Sequence, residues 1–195
     1  MGNILVDTQL VVNYYKEENK GMTPEEMNIT GSTVGLFQKI IAHRDIIFVD
    51  FAGVDDNGKE KDGKILSEWK KHIPNVAKYW FDQWYATLLG SGQIKFISMS
   101  NCQNLLQTLY SRYNFPQDGW DKWYVRTAKS VVSAGINGDG GFPVVIITED
   151  LDFYDPNQKN RLRGNARLDF MRQQQGTIPP VLANDGIGVM CVCLY

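Results

Sequence analysis

Val144-Val145-Ile146-Ile147 is a run of four β-branched apolar residues, followed at once by Thr148-Glu149-Asp150-Leu151-Asp152. A run that is apolar at every position, rather than at alternate ones, fits a strand buried on both faces. Comparable runs occur at Ile4-Leu5-Val6, at Ile46-Ile47-Phe48-Val49, from Ile94 to Met99 and from Gly188 to Leu194. The stretches between them read as helices. Leu10 to Glu18 continues from the first strand, and Val34 to His43 carries Leu36, Phe37, Ile40 and Ile41 at helical spacing. Ile65 to Ile73 is a third helix, and Pro74 separates it from the aromatic-rich Val76 to Leu89. Leu105 to Tyr113, Asp121 to Val132 and a polar helix within Lys159 to Gln174 complete the alternation. Buried strands separated by helices require cover on both faces, so the class is α/β with a mainly parallel central sheet, read as one domain over residues 1–195. In such folds ligands sit beyond the carboxyl ends of the strands.

The 195 residues carry a formal net charge of −2, which excludes an arm that binds nucleic acid by bulk positive charge. No apolar run approaches the roughly 18 residues a membrane span needs, so no membrane partner is expected. Met1 to Asp7 lacks the basic and apolar regions of a secretion signal, and Val6 stands where a myristoylation motif wants Ser or Thr. Cys102, Cys191 and Cys193 form no CxxC and have only His43 and His72 to join them, so reduced thiols in a cytoplasmic protein are expected. On the final strand, Cys191 and Cys193 would share a buried face. Asp55 to Gly63 reads as a solvated turn, and Gly135 to Gly141 as a loop.

The acids fall in informative places. Asp7 follows the first strand, Asp50 closes the second, and Asp150 with Asp152 follows the fourth. If the first and fourth strands are neighbours, Asp7 and Asp150 lie at one sheet edge. Their mutual repulsion then calls for a cation, such as a hard divalent ion. The competing explanation is that each aspartate caps the helix after it. Glu68 lies inside an apolar helix beside Trp69; a solvated face, with Lys64, Lys70 and Lys71 nearby, is its alternative. Asp121 lines up with Val125 and Ala128, and N-capping is its alternative.

Taken in order, Val6-Asp7-Thr8-Gln9-Leu10, Ile65-Leu66-Ser67-Glu68-Trp69, Asp121 to Ala128 and Ile146-Ile147-Thr148-Glu149-Asp150-Leu151-Asp152-Phe153 resemble the PIN-domain nucleases. The resemblance implies a three-layer α/β/α fold and an acidic quartet drawn from the first strand, two helices and the fourth strand. It places Asp7, Glu68, Asp121 and Asp150 in that quartet, around Mg²⁺ or Mn²⁺, with Asp152 as an auxiliary and Thr8 and Thr148 as flanking hydroxyl residues. Gln9 stands where the family commonly has Asn or Ser, and the stretch between Asp7 and Glu68 is long. The implied activity is an endoribonuclease, in a toxin or in RNA processing, with a homodimer and an antitoxin-like protein as implied partners.

A carboxylate-bound divalent ion can activate water, neutralise phosphate and stabilise the leaving oxygen without a histidine or covalent nucleophile. Asp7 and Asp150 would be the primary ligands, with Glu68 and Asp121 acting directly or through water. Attraction of RNA, or of single-stranded DNA, needs local positive charge. Asn157 to Gln175 holds Lys159, Arg161, Arg163, Arg167 and Arg172 against Asp169 alone, a local +4, while Lys122, Arg126 and Lys129 flank Asp121. The plainer use of these residues is a solvated helix face. Trp120, Trp123 and Tyr124 either stack on bases or pack the core, as Trp80 and Trp84 do.

Walker A, GxGxxG and GxSxG patterns do not occur, and the third strand ends in Ser98-Met99-Ser100, without the aspartate of a receiver domain. Two readings stay open: a metal-dependent nuclease, and a non-catalytic PIN-like binding or regulatory module.

Overall fold

A computed structural model describes residues 1–23, 26, 28–53, 62–138 and 141–195. Five strands form one all-parallel sheet: β1 (Asn3–Val6), β2 (Ile46–Asp50), β3 (Ile94–Ile97), β4 (Val144–Ile147) and β5 (Ile187–Met190), in the order β3-β2-β1-β4-β5. The helices are α1 (Thr8–Lys20), α2 (Thr33–His43), α3 (Lys64–His72), α4 (Lys78–Gly90), α5 (Gln103–Tyr113), α6 (Asp121–Ser133), α7 (Gly164–Arg172) and α8 (Ile178–Asn184). This is the three-layer α/β/α arrangement expected for continuously apolar strands. Every residue of β1, β2 and β4 is buried, whereas Lys95 and Phe96 on the edge strand β3 reach solvent. α6 lies across β2, β3, β4 and β5, and α1 packs with both α2 and α3. Among the described residues no helix is long and apolar enough to cross a membrane.

Sheet register positions the site. Val6 of β1 pairs with Ile147 of β4, and the Asp7 N–H extends that ladder to the Ile147 carbonyl at 3.0 Å. The residues that leave these two strands, Asp7 and Thr148, therefore emerge side by side. Asp7 also caps α1, accepting from the Gln9 N–H at 3.3 Å, so capping and site placement are compatible for this residue.

Several elements differ from the sequence reading. The polar helix expected from Lys159 to Gln174 is cut short. Asp155 instead caps a 3₁₀ turn at Pro156–Gln158, Arg163 is extended, and α7 starts only at Gly164. Lys159, Arg161 and Arg163 thus lie before the helix. α8 was masked by Pro179 and Pro180, which fit a first helical turn because its N–H groups have no intrahelical partner anyway. β5 stops at Met190 and a 3₁₀ turn at Val192–Leu194 follows, so Cys191 and Cys193 do not share a strand face. Cys191 is buried and Cys193 exposed, with their sulfurs 3.4 Å apart. The turn expected at Asp55 to Gly63 lies outside the described residues except for Asp62 and Gly63, as do residues 139–140 of the glycine-rich loop.

Candidate metal centre

At the carboxyl edge of the sheet, β1 and β4 open into a cleft of about 600 Å³. Asp7, Glu68, Asp121 and Asp150 all line it, together with Gln9, Lys16, Asn28, His72, Glu149 and Arg167. Three carboxylates, Asp121, Asp150 and Asp152, each present an oxygen within 4.8 Å of the others, a spacing able to hold a metal ion.

Each acid has its own support. Thr148 Oγ1 donates to Asp7 Oδ2 at 2.5 Å and accepts from the Asp150 N–H at 3.0 Å, so one buried hydroxyl links the exits of two strands. Asp150 in turn accepts from the Asp152 N–H at 3.0 Å, which caps the short turn at Leu151–Phe153. Glu68 rides on α3. Its alternative as a solvated face is wrong, because it is only 9% exposed and its Oε2 has no hydrogen-bond partner among the described residues. Asp121 occupies the first turn of α6 and is not its N-cap; that position is Trp120. Tyr124, one turn on, is a core residue rather than a base-stacking platform, and its hydroxyl meets Thr8 at the backbone N–H (3.1 Å) and Oγ1 (2.8 Å).

Asp50 does not join the cleft. Its carboxylate accepts from the N–H groups of Lys64 and Ile65 at 2.7 and 2.8 Å, capping α3, so for this aspartate the capping explanation holds. The cap orients α3 and thereby Glu68.

Burial, and after it crowding, makes Asp7, Glu68 and Asp121 hard to ionise. Burial, then the Asp150 charge, pushes Asp7 up to about 6, although Thr148 and Gln9 hydrogen bonds and Lys159 pull it down. Burial and Asp7 push Glu68 up to about 7, against Thr8, Tyr124 and Lys71. Burial and the charges of Asp150, Asp7 and Asp152 push Asp121 up to about 8. Burial raises Asp152 as well, while its bond to Lys159 opposes the shift. Three converging carboxylates, with Glu68 Oε2 buried and unpartnered among the described residues, could hold a metal ion.

The basic residues divide. Lys159, expected to face nucleic acid, turns onto the acids: its Nζ is 3.2 Å from Asp150 and bonds Asp152. Arg167 lines the cleft and donates through Nη2 to the Glu149 carbonyl at 2.5 Å. Arg163 bonds the carbonyls of Lys159 and Leu162, and Arg161 is exposed. Lys122 and Arg126 do not line the acidic cleft. They border a separate depression of about 290 Å³ with Cys102 and Tyr110, where Arg126 stacks 4.7 Å over Trp123. Lys129 is held by Asp185 at 2.6 Å.

Lys16 is not a site candidate in the sequence, and His72 is one only as a partner for the cysteines, yet spacing marks both for the cleft. Gln9, Val12 and Lys16 share one face of α1, and His72 stands four residues after Glu68 on α3. Neither protein-family models, curated proteins nor solved structures give a match to this chain.

Proposed function

We propose that this chain is a divalent-metal-dependent phosphodiesterase, an endoribonuclease of PIN type acting on single-stranded RNA. The observation that carries the reading is convergence. Asp7 after β1, Glu68 on α3, Asp121 on α6 and Asp150 after β4 are far apart in sequence and line one cleft. The same four positions form the acidic quartet that the PIN resemblance implies.

Asp7, Asp121 and Asp150, with Asp152 and Glu68, are the residues that would hold Mg²⁺ or Mn²⁺. The ion, when bound, neutralises phosphate charge, lowers the pKa of water and stabilises the leaving oxygen. The chain's own groups do the rest. Thr148 fixes Asp7 and Asp150 relative to one another, so the reacting phosphate meets carboxylates already in place. Glu68 lines the cleft on α3, and as an acid outside the close Asp121–Asp150–Asp152 cluster it is the group that would take the proton from the attacking water. Lys16 and Arg167, which line the cleft, attract the phosphate backbone.

A second reading, a binding module without cleavage, has one observation in its favour: Lys159 already neutralises Asp150 and Asp152. The test is incubation of single-stranded RNA, and separately of DNA, with Mg²⁺ or Mn²⁺ in ¹⁸O-water. Hydrolysis by water leaves one heavy oxygen on the new terminal phosphate. A 2′,3′-cyclic phosphate end would overturn the water mechanism, and intact RNA would favour the binding module.

A further inference from the structure

Lys159 sits between two electrostatic environments. It projects from the segment between the 3₁₀ turn at Pro156–Gln158 and α7, and its side chain is 45% exposed, whereas that of Asp152 beneath it is 5% exposed. On one side its ammonium bonds Asp150 and Asp152. On the other it lines a groove of about 320 Å³ with Arg163 and Arg167, and among the described residues no acid lines that groove. Groove and cleft are neighbours, because Asn28 and Arg167 border both. Arg163 uses Nη1 on two backbone carbonyls and Arg167 uses Nη2 on a third, which fixes both guanidinium groups at the groove. Arg167 Nε is buried with no hydrogen-bond partner among the described residues.

An ammonium and a divalent cation cannot share the same two carboxylates without strong repulsion. We propose that Lys159 is an exchangeable counter-ion: it neutralises Asp150 and Asp152 in the metal-free protein, and metal binding releases it into the groove, where with Arg163 and Arg167 it seats a phosphate of single-stranded nucleic acid beside the carboxylate cleft. The proposal rests on the cleft being a metal site, as read above. It assigns the groove to the phosphate next to the one that reacts, and it makes metal binding and strand binding mutually reinforcing. Planar guanidinium forks and a mobile ammonium suit a phosphate anion.

The experiment uses the full chain and its Lys159→Met and Lys159→Arg variants, each checked for fold by circular dichroism. Mn²⁺ binding is followed by calorimetry. Binding of a non-cleavable 2′-O-methyl oligouridylate is followed by fluorescence anisotropy, with and without Mn²⁺, over a KCl series. Lys159→Met should bind Mn²⁺ about two- to fivefold more tightly, since a half-exposed competing ion pair is gone. It should also lose the Mn²⁺-dependent gain in oligonucleotide affinity, with the salt slope smaller by about 0.7. Lys159→Arg should keep that gain. Unchanged Mn²⁺ affinity in Lys159→Met overturns the exchange, as does an oligonucleotide loss equal with and without Mn²⁺. Inorganic phosphate competing at the same concentration as the oligonucleotide overturns the strand assignment. Absence of Mn²⁺ binding by every form overturns the metal reading itself.

Discussion

Thr148 Oγ1 stands 2.5 Å from Asp7 Oδ2 and 3.0 Å from the backbone N of Asp150, so a single hydroxyl joins the two acids that leave adjacent parallel strands. Thr148 is fully buried, and its place beside Asp7 follows from the Val6–Ile147 register. Thr148→Val preserves shape but leaves the Asp150 N–H without its acceptor. Such a loss costs about 1–3 kcal/mol, to be read from urea denaturation. Mn²⁺ affinity should fall about 10- to 100-fold, the usual effect of removing a group that orients a ligand, and Thr148→Ser should restore most of it. Equal Mn²⁺ affinity in wild type and Thr148→Val would show that the hydroxyl does not organise the site.

The raised carboxylates make stability depend on pH with an unusual sign. Asp7, Glu68 and Asp121 are pushed to about 6, 7 and 8 from ordinary values near 4, and Glu149, buried against Thr30 and Val192, to about 7. Over that interval the folded state holds more protons than the unfolded one, so unfolding free energy falls as pH rises from about 4 to about 8. Lys159 is held above its ordinary 10.5 and stays charged throughout the interval. Chelator-treated protein should therefore have a higher urea midpoint at pH 5 than at pH 8. Mn²⁺ should raise the midpoint at pH 8 and do little at pH 5, because protons and metal compete for the same oxygens. A midpoint that rises with pH in chelator would contradict the burial and crowding that raise these acids.

Asp121→Asn should separate stability from function. The substitution removes a charge that burial and three neighbouring carboxylates disfavour, so the metal-free protein at pH 8 should become more stable. Metal-dependent cleavage should drop by about a hundredfold or more, since a ligand is lost. Paired measurements of urea midpoint and cleavage rate check this; both falling together would mean that Asp121 is mainly structural.

Gly63 is pinned against the cap of α3. A Cβ there would lie 1.9 Å from the Asp50 carbonyl oxygen and 2.7 Å from Asp50 Cγ. Gly63→Ala must displace the carboxylate that receives Lys64 N–H and Ile65 N–H, and with it the start of the helix that carries Glu68. The expected cost is about 2 kcal/mol or more in urea denaturation, accompanied by weaker Mn²⁺ binding. An unchanged Mn²⁺ affinity would show that Glu68 does not depend on this cap.

The sheet was legible because buried parallel strands advertise themselves: Val144 to Ile147 is apolar at every position and needs no partner to be recognised. The acids were legible for a related reason, since Asp7 and Asp150 directly follow such runs and register brings them together. Chain reversals were harder. The break at Arg163–Gly164 follows from local backbone conformation, extended at Arg163 and left-handed at Gly164 with φ of 50°, rather than from hydrophobic period. The local +4 of Asn157 to Gln175 points Lys159 at a phosphate backbone. The pairing of Lys159 with Asp150 and Asp152 is a three-dimensional fact that local charge counting does not contain. Capping and cation binding use the same residue type, and only geometry separates Asp50, whose cap lies outside the cleft, from Asp7 and Asp150, which cap and also line it.

The most direct test of the nuclease reading is cleavage of a 5′-labelled single-stranded RNA by the wild-type protein and its Asp7→Asn and Asp150→Asn variants, all shown to be folded. Cleavage should require Mn²⁺ or Mg²⁺, stop with chelator and fall by about a hundredfold or more in either variant. Cleavage that persists in chelator, or at wild-type rate in both variants, would contradict the assignment of the carboxylate cleft as the catalytic metal centre.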